Sequence, residues 1–366
     1  MSLTKSDSRI YSEAEKHQLF HQAFFENALE LLWQQWGQLG VGGQPFKKGN
    51  AWIIDPEALC LLLWSIGRFE PRLYDEVLRW SCYWSKDIDT SRLTALTKMY
   101  SEQEEKQVAA AFADTVSLHC NQKQRWKSLT NLGQERSETE TFFLQLQDKH
   151  IPFFGLPDLH FQKYGFLRSH FHLRENPIVE LKTQETTHIR LLLKRFFGTG
   201  VRAEAVLVLL THEQPTPKEI SLYSGYTQRS ALHTLQELLS TGMISAYELP
   251  GQKRRYPARV YTLQKERWWL FLQGKSTQLE VNWIDWIQIS LSVIKVLRVL
   301  KDIRLRETSQ YQSRSLLRKA MKEAREHIMQ TALRQVPFPD FQVQDCDFYD
   351  KLASYWQKIF RELFIE

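Results

Sequence analysis

Residues 201–263 read VRAEAVLVLLTHEQPTPKEISLYSGYTQRSALHTLQELLSTGMISAYELPGQKRRYPARVYTL. The stretch parses element by element. Arg202–Thr211 is an apolar helix, and His212-Glu213-Gln214-Pro215 is a turn. Thr216-Pro217-Lys218-Glu219 satisfies two helix-start rules together: Thr216 and Glu219 have capping-box spacing, and Pro217 falls at the first helical position, where its missing N–H costs nothing. That short helix stops at Gly225. Thr227 is a second N-cap, and QRSALHTLQELLSTG follows as an amphipathic helix. Ala231, Leu232, Leu235, Leu238 and Leu239 are expected on its inner face, with Arg229, Ser230, His233, Gln236 and Glu237 outside. Gly242 ends it. ISAYEL alternates as a strand, PGQKRRYP is a turn carrying Lys253, Arg254 and Arg255, and ARVYTL, with Arg259 near its start, is the returning strand.

The order of helix, short helix, turn, amphipathic helix and basic hairpin resembles the winged helix-turn-helix domains of bacterial regulators of the MarR and ArsR type, over about 65 residues. The wider sequence is similar to a group of prokaryotic regulator-like proteins, in FFGTGVRAEAVLVLL, GYTQRSALHTLQELLSTGMI, RWWLFL and WIDWIQISLSVIKVL, and in DPEALCLLLWSIGRFEPRLYDEVLRW nearer the front. The resemblance implies double-stranded DNA as partner. A helix fits the major groove, its N-terminal half meets base edges, and a basic hairpin tip reaches the backbone or minor groove beside it. On that reading the DNA-binding set is Thr227, Gln228, Arg229, Ser230, His233, Gln236, Lys253, Arg254, Arg255 and Arg259. Arg229 is long enough for a bidentate contact to guanine. The bland alternative is that winged helices also serve as protein-interaction modules, and Glu237 on the outer face points that way.

Outward from this stretch, the chain is expected to be mainly α with a small β wing, the winged helix-turn-helix flanked by helical N- and C-terminal regions. Residues 1–150 form a helical N-terminal domain. Asp55-Pro56-Glu57 opens a buried helix, Glu70-Pro71 the next, and Asp89-Thr90 caps a third, together a candidate degenerate helix-turn-helix. Helix continues through 101–148 with a polar interruption. Residues 151–186 are a connecting region. Residues 151–182 hold three Pro, two Gly and six Phe or Tyr without a helical period, so they read as short strands and loops. Residues 187–266 hold the winged segment. Residues 267–366 are Trp-rich and then helical, over Ile284–Ile303, Ser313–Leu333 and Phe348–Phe364. Ile294, Leu297, Leu300 and Ile303 make an apolar stripe suited to a dimerisation arm or to the helical core.

Composition narrows the classes of function. The 366 residues carry a formal net charge of +6, with 25% charged and 43% hydrophobic residues, which is ordinary for a folded protein. The charge is uneven: residues 251–334 hold 18 Lys and Arg against 7 Asp and Glu, which favours a polyanion partner. No apolar run approaches the roughly 18 residues of a membrane helix. The opening MSLTKSDSRIYSEAEK lacks the apolar core of a secretory signal, so a cytoplasmic setting is expected. Cys60, Cys82, Cys120 and Cys346 are far apart and form no zinc or disulfide pattern.

No enzyme signature is present: G-x-S-x-G, G-x-G-x-x-G and a phosphate loop are all missing. His170 and His172, with His160 upstream, would share a strand face. Arg174 follows on that face, where a cation repels a metal, so no metal and no cofactor are expected. The leading expectation is a sequence-specific transcriptional regulator, a dimeric repressor. The alternatives are an antitoxin-like or DNA-tethered subunit for a partner protein, and a plasmid-type replication initiator should residues 55–100 form a second winged helix.

Overall fold

A computed structural model of the chain describes residues 12–42, 52–146, 150–174, 185–248, 259–273, 282–305 and 309–364. The protein is mainly helical, with small two-stranded sheets. It divides into two compact units. One holds residues 32–291, and the other is made from the two ends of the chain, up to Leu31 and from Ser292 to Phe364. Helix α1 (Glu13–Gln38) contributes to both.

The larger unit begins with a group of helices set by their caps: α2 (Pro56–Ile66), α3 (Pro71–Tyr83), α4 (Thr90–Tyr100), α5 (Gln103–His119) and α6 (Lys123–Thr130). Asp55 accepts from the Ala58 N–H at the start of α2, and Asp89 accepts from the Arg92 N–H at the start of α4, as their positions before the apolar runs predict. All of α2 except Ser65 is buried, which is what its unbroken apolar run requires. No strand lies between Pro56 and Thr139, so helices α2 to α4 have no hairpin following them.

The expectation of helix through 148 fails after Thr130. Glu140–Thr141 (β1) pairs in parallel with Phe166–Leu167 (β2), across the one-turn helix α7 (Leu159–Gln162). The cause is tertiary. The Phe142 N–H donates to Leu167 O at 2.8 Å, its carbonyl accepts from Arg68 Nε at 2.8 Å, and its ring is fully buried against Tyr74 and Phe161.

Next come α8 (Ile189–Phe197), α9 (Val201–Thr211), α10 (Pro217–Ser224), α11 (Gln228–Ser240), β3 (Ser245–Glu248), β4 (Arg259–Thr262) and α12 (Lys265–Gln273). They share a core of Ile189, Leu193, most of α9, Ile220, Ala231, Leu235, Leu238, Ile244, Tyr261 and Trp269. Strands β3 and β4 are antiparallel, with Ser245 opposite Thr262 and Glu248 opposite Arg259. The segment between them in sequence, expected as a turn carrying Lys253, Arg254 and Arg255, lies outside the described residues.

Helix α13 (Trp286–Leu305) runs on to supply the smaller unit, with α14 (Gln310–Ile328) and α15 (Phe348–Leu363). There Phe24 packs edge-on against Trp356 at 4.8 Å, and Lys295 pairs with Glu323 at 2.9 Å. Ile294, Leu297, Leu300 and Ile303 are all at most 6% exposed in the single chain. The stripe is therefore covered by the protein itself and leaves no open face for a second copy. No helix of the described residues is long and apolar enough to cross a membrane.

Candidate functional site

The helix-turn-helix pair is built by local chemistry. Thr216 Oγ1 accepts from the Glu219 N–H, and the Glu219 carboxylate accepts in return from the Thr216 N–H at 2.8 Å. Gly225 ends α10 with φ +75°, in the left-handed region. A Cβ there would also stand 3.1 Å from Leu96 Cδ2, so both conformation and space call for glycine. Thr227 then caps α11 by accepting from the Ser230 N–H.

The inner face of α11 is Ala231, Thr234, Leu235 and Leu238, spaced i, i+3, i+4, i+7. This corrects the expected face. Thr234 is buried, whereas Leu232 is 38% exposed and Leu239 only half-buried. Leu232 falls outside because the rotation of 100° per residue centres the stripe on Leu235 and Leu238.

Of the expected contact residues, Gln228, Arg229, His233 and Gln236 lie exposed on the outer side of α11. Arg229 has no hydrogen bond or ion pair among the described residues. The hydroxyls of Thr227 and Ser230 are instead 2.9 Å apart within the cap. Arg259 is exposed on β4 but faces Glu248 at 3.5 Å. Glu237 is engaged by Arg202 at 2.9 Å, which holds its carboxyl below the usual range, and His233 lies 3.6 Å from it.

Behind the turn lies a feature that sequence reasoning missed. Asp55, Glu57, Arg92, Arg190, Lys194 and Glu204 form a buried cluster with three charges of each sign, every side chain at most 3% exposed. Arg92 grips Asp55 with both terminal nitrogens at 2.6 Å and reaches Glu57 at 3.1 Å. Arg190 bridges Asp55 and Glu204, at 2.8 Å each, and Lys194 lies 2.5 Å from Glu57. Burial by itself would raise the Asp55 carboxyl, but the guanidiniums of Arg190 and Arg92 outweigh it and hold it well below the carboxylate range.

The cluster reaches the helix-turn-helix directly. Arg92 Nε donates to Ser224 O at 2.5 Å, and the Tyr226 hydroxyl donates to Asp89. Burial, then the Asp89 carboxylate, pushes the Tyr226 phenol far up, so it stays a donor. Asp285 caps α13 through Oδ1 and is pushed up to about 7, chiefly by burial; its Oδ2 is buried without a partner. A signal for the cluster was present in the sequence. Glu204 is the lone charge within Ala203–Leu210, and Arg190 and Lys194 share a helix face at i, i+4.

Among the described residues no group of three or more His, Cys, Asp or Glu could hold a metal. His170 and His172 do meet, with ring centroids 4.7 Å apart. No family model, no curated protein and no solved structure matches this chain.

Proposed function

We propose that the protein binds double-stranded DNA as a transcriptional regulator, with α11 in the major groove and the β3–β4 hairpin beside it as the wing of a winged helix. The observation that carries this reading is the outer side of α11. Gln228, Arg229, His233 and Gln236 are exposed together on a helix whose start is fixed by a capped, glycine-closed turn. These side chains offer donors and acceptors to base edges, and among the described residues the Arg229 guanidinium has no intramolecular partner to lose on binding. The antiparallel pair after α11, and the basic residues Lys253, Arg254 and Arg255 that join its strands in sequence, support a wing near the backbone.

The test is an electrophoretic mobility shift of the full chain on the DNA upstream of its own coding region, with unrelated DNA as competitor. Retention that resists a large excess of competitor is expected, and binding no tighter than to competitor overturns the reading. A second reading, a protein-docking face, is favoured by one observation. Leu222, Leu232, Met243 and Tyr247 are each 38–57% exposed on the same helix-turn-helix and hairpin, where a purely electrostatic surface would carry polar groups. Repression as such, and a symmetric dimer, remain part of the proposal, with the Ile294–Ile303 stripe no longer among its supports.

A further inference from the structure

We propose that the outward side of α14, on the smaller unit, is a further DNA-contacting surface, which takes the phosphate backbone of double-stranded DNA without reading its sequence. The partner is that of the DNA-binding reading, on which this proposal rests; the residues are different ones. Helix α14 carries five Lys and Arg against two Glu. Its buried side, Ser313, Leu317, Ala320, Met321, Ala324 and Ile328, is spent on the core. Successive residues turn by about 100°, so Arg318, Lys322 and Arg325, spaced i, i+4, i+7, follow one another along the side that remains, with Lys319 next to them. Lys319, Lys322 and Arg325 are exposed, and Arg318 is half-buried.

Most of this charge is not answered within the protein. Among the described residues Arg318 and Lys322 form no ion pair. Glu323 belongs to Lys295 of α13, at 2.9 Å, and reaches Lys319 only at 4.0 Å, where the Lys319 side chain is 77% exposed. The Arg325 guanidinium lies 4.6 Å from the centre of the Phe338 ring. Stacking occupies the face of its plane and leaves the edge donors open. Arg314, one turn before Arg318, differs: it is held by Glu13 and by Val343 O and belongs to the packing of the unit. Glu326 is the remaining acid of the helix.

The pattern selects the polyanion. A row of cations along a helix suits a linear array of negative charge. At ~1.5 Å per residue, Arg318 and Arg325 are about 10 Å apart along the axis. Duplex DNA carries one charge per ~1.7 Å, so about six phosphates fall within the same length. A single-strand site would set aromatic rings among its cations, and KAMKEA, residues 319–324, holds none. A membrane-surface helix keeps an apolar face for the bilayer, whereas the apolar side of α14 is buried in the protein. Protein interfaces are poor in lysine, and Lys319 and Lys322 stand in the middle of this row.

Titration of a labelled duplex of unrelated sequence with the full chain, over a series of salt concentrations, tests the assignment. Arg318→Gln with Lys322→Gln should make the slope of log affinity against log salt shallower by about two, at about 0.9 per phosphate contact, and weaken binding at low salt by about tenfold. Gln is a good helix former, so melting of the free protein should hold. Lys322→Gln alone, an exposed change, should take about one from the slope; where the pair unfolds, the single variant decides. Lys358→Gln with Arg361→Gln removes as much charge from exposed positions of α15 and should leave the slope nearly unchanged. Equal slopes in the wild type and the α14 variants, an equal loss in the α15 control, or no binding of the duplex at low salt overturns the proposal. So does loss of phosphatidylserine vesicles or of polyglutamate by the α14 variants while their duplex slope is kept. The DNA-binding reading fails separately, when the upstream DNA is held no more tightly than unrelated duplex although the α14 variants still change the slope.

Discussion

Arg92 Nε lies 2.5 Å from the carbonyl oxygen of Ser224, the last residue of α10. One buried guanidinium on α4 thus holds two carboxylates of the α2 start and the backbone at which the helix-turn-helix bends. The turn that leads into α11 is anchored from behind, by charges buried away from the helix's exposed side.

Removing that guanidinium while keeping its bulk, in Arg92→Met, leaves Asp55 and Glu57 short of a partner at a buried position. A loss of about 3–5 kcal/mol is expected in denaturant unfolding. Arg92→Lys should recover only part of it, because an ammonium cannot grip both Asp55 oxygens and Ser224 O at once.

Tyr226→Phe removes the donor to Asp89 and little else. It should cost about 1–2 kcal/mol. In the DNA-binding assay it should weaken retention although Tyr226 meets no base, because the turn before Thr227 loses an anchor.

Gly225→Ala forces a side chain into the left-handed region and to within 3.1 Å of Leu96 Cδ2. The expected cost is about 1–3 kcal/mol. Gly225→Ala combined with Leu96→Ala separates the two causes, since the second change relieves only the crowding.

Asp285 gives a pH dependence. Its folded pKa, about 7, lies above the ordinary 3.8. The folded state therefore holds the proton that the unfolded state releases between those values. The stabilisation is complete below about pH 4 and is lost as pH rises through 7. Asp285→Asn keeps the Oδ1 cap and removes the buried charge. It should flatten unfolding stability against pH over that window and raise the melting temperature at pH 8. An unchanged profile would show that Asp285 titrates as an ordinary carboxylate.

On the proposed DNA-binding reading, Arg229→Ala should cost about 1–3 kcal/mol on a specific site and much less on random DNA. Equal losses on both place Arg229 on the phosphates.

The legible part of this protein was the part decided within a few residues. Thr216, Pro217, Glu219, Gly225 and Thr227 act on their own neighbours, so caps and stops could be read directly. The outer positions of α11 followed from period alone, apart from Leu232, which the 100° step from Ala231 carries out of the buried stripe. Glu204, Arg190 and Lys194 stood out singly, but the network they join was not legible, because Lys194 finds Glu57, and Arg92 finds Ser224, more than a hundred residues away. In sequence Asp55 reads only as a cap, and it is one; its second role exists only once α8 and α9 are in place. The strand at Glu140 was hidden for the same reason, since its partner comes from beyond a loop and a one-turn helix.

The segment of residues 187–266 shares its buried charges with the helices before it. Cut out at residues 187–266, it would keep Arg190, Lys194 and Glu204 but leave Asp55, Glu57 and Arg92 behind. Two cations and one carboxylate would be stranded on faces shaped for a dry interior. The excised piece should be insoluble or molten where a true module would fold, and grafting it onto another scaffold should fail unless the α2–α4 half travels with it.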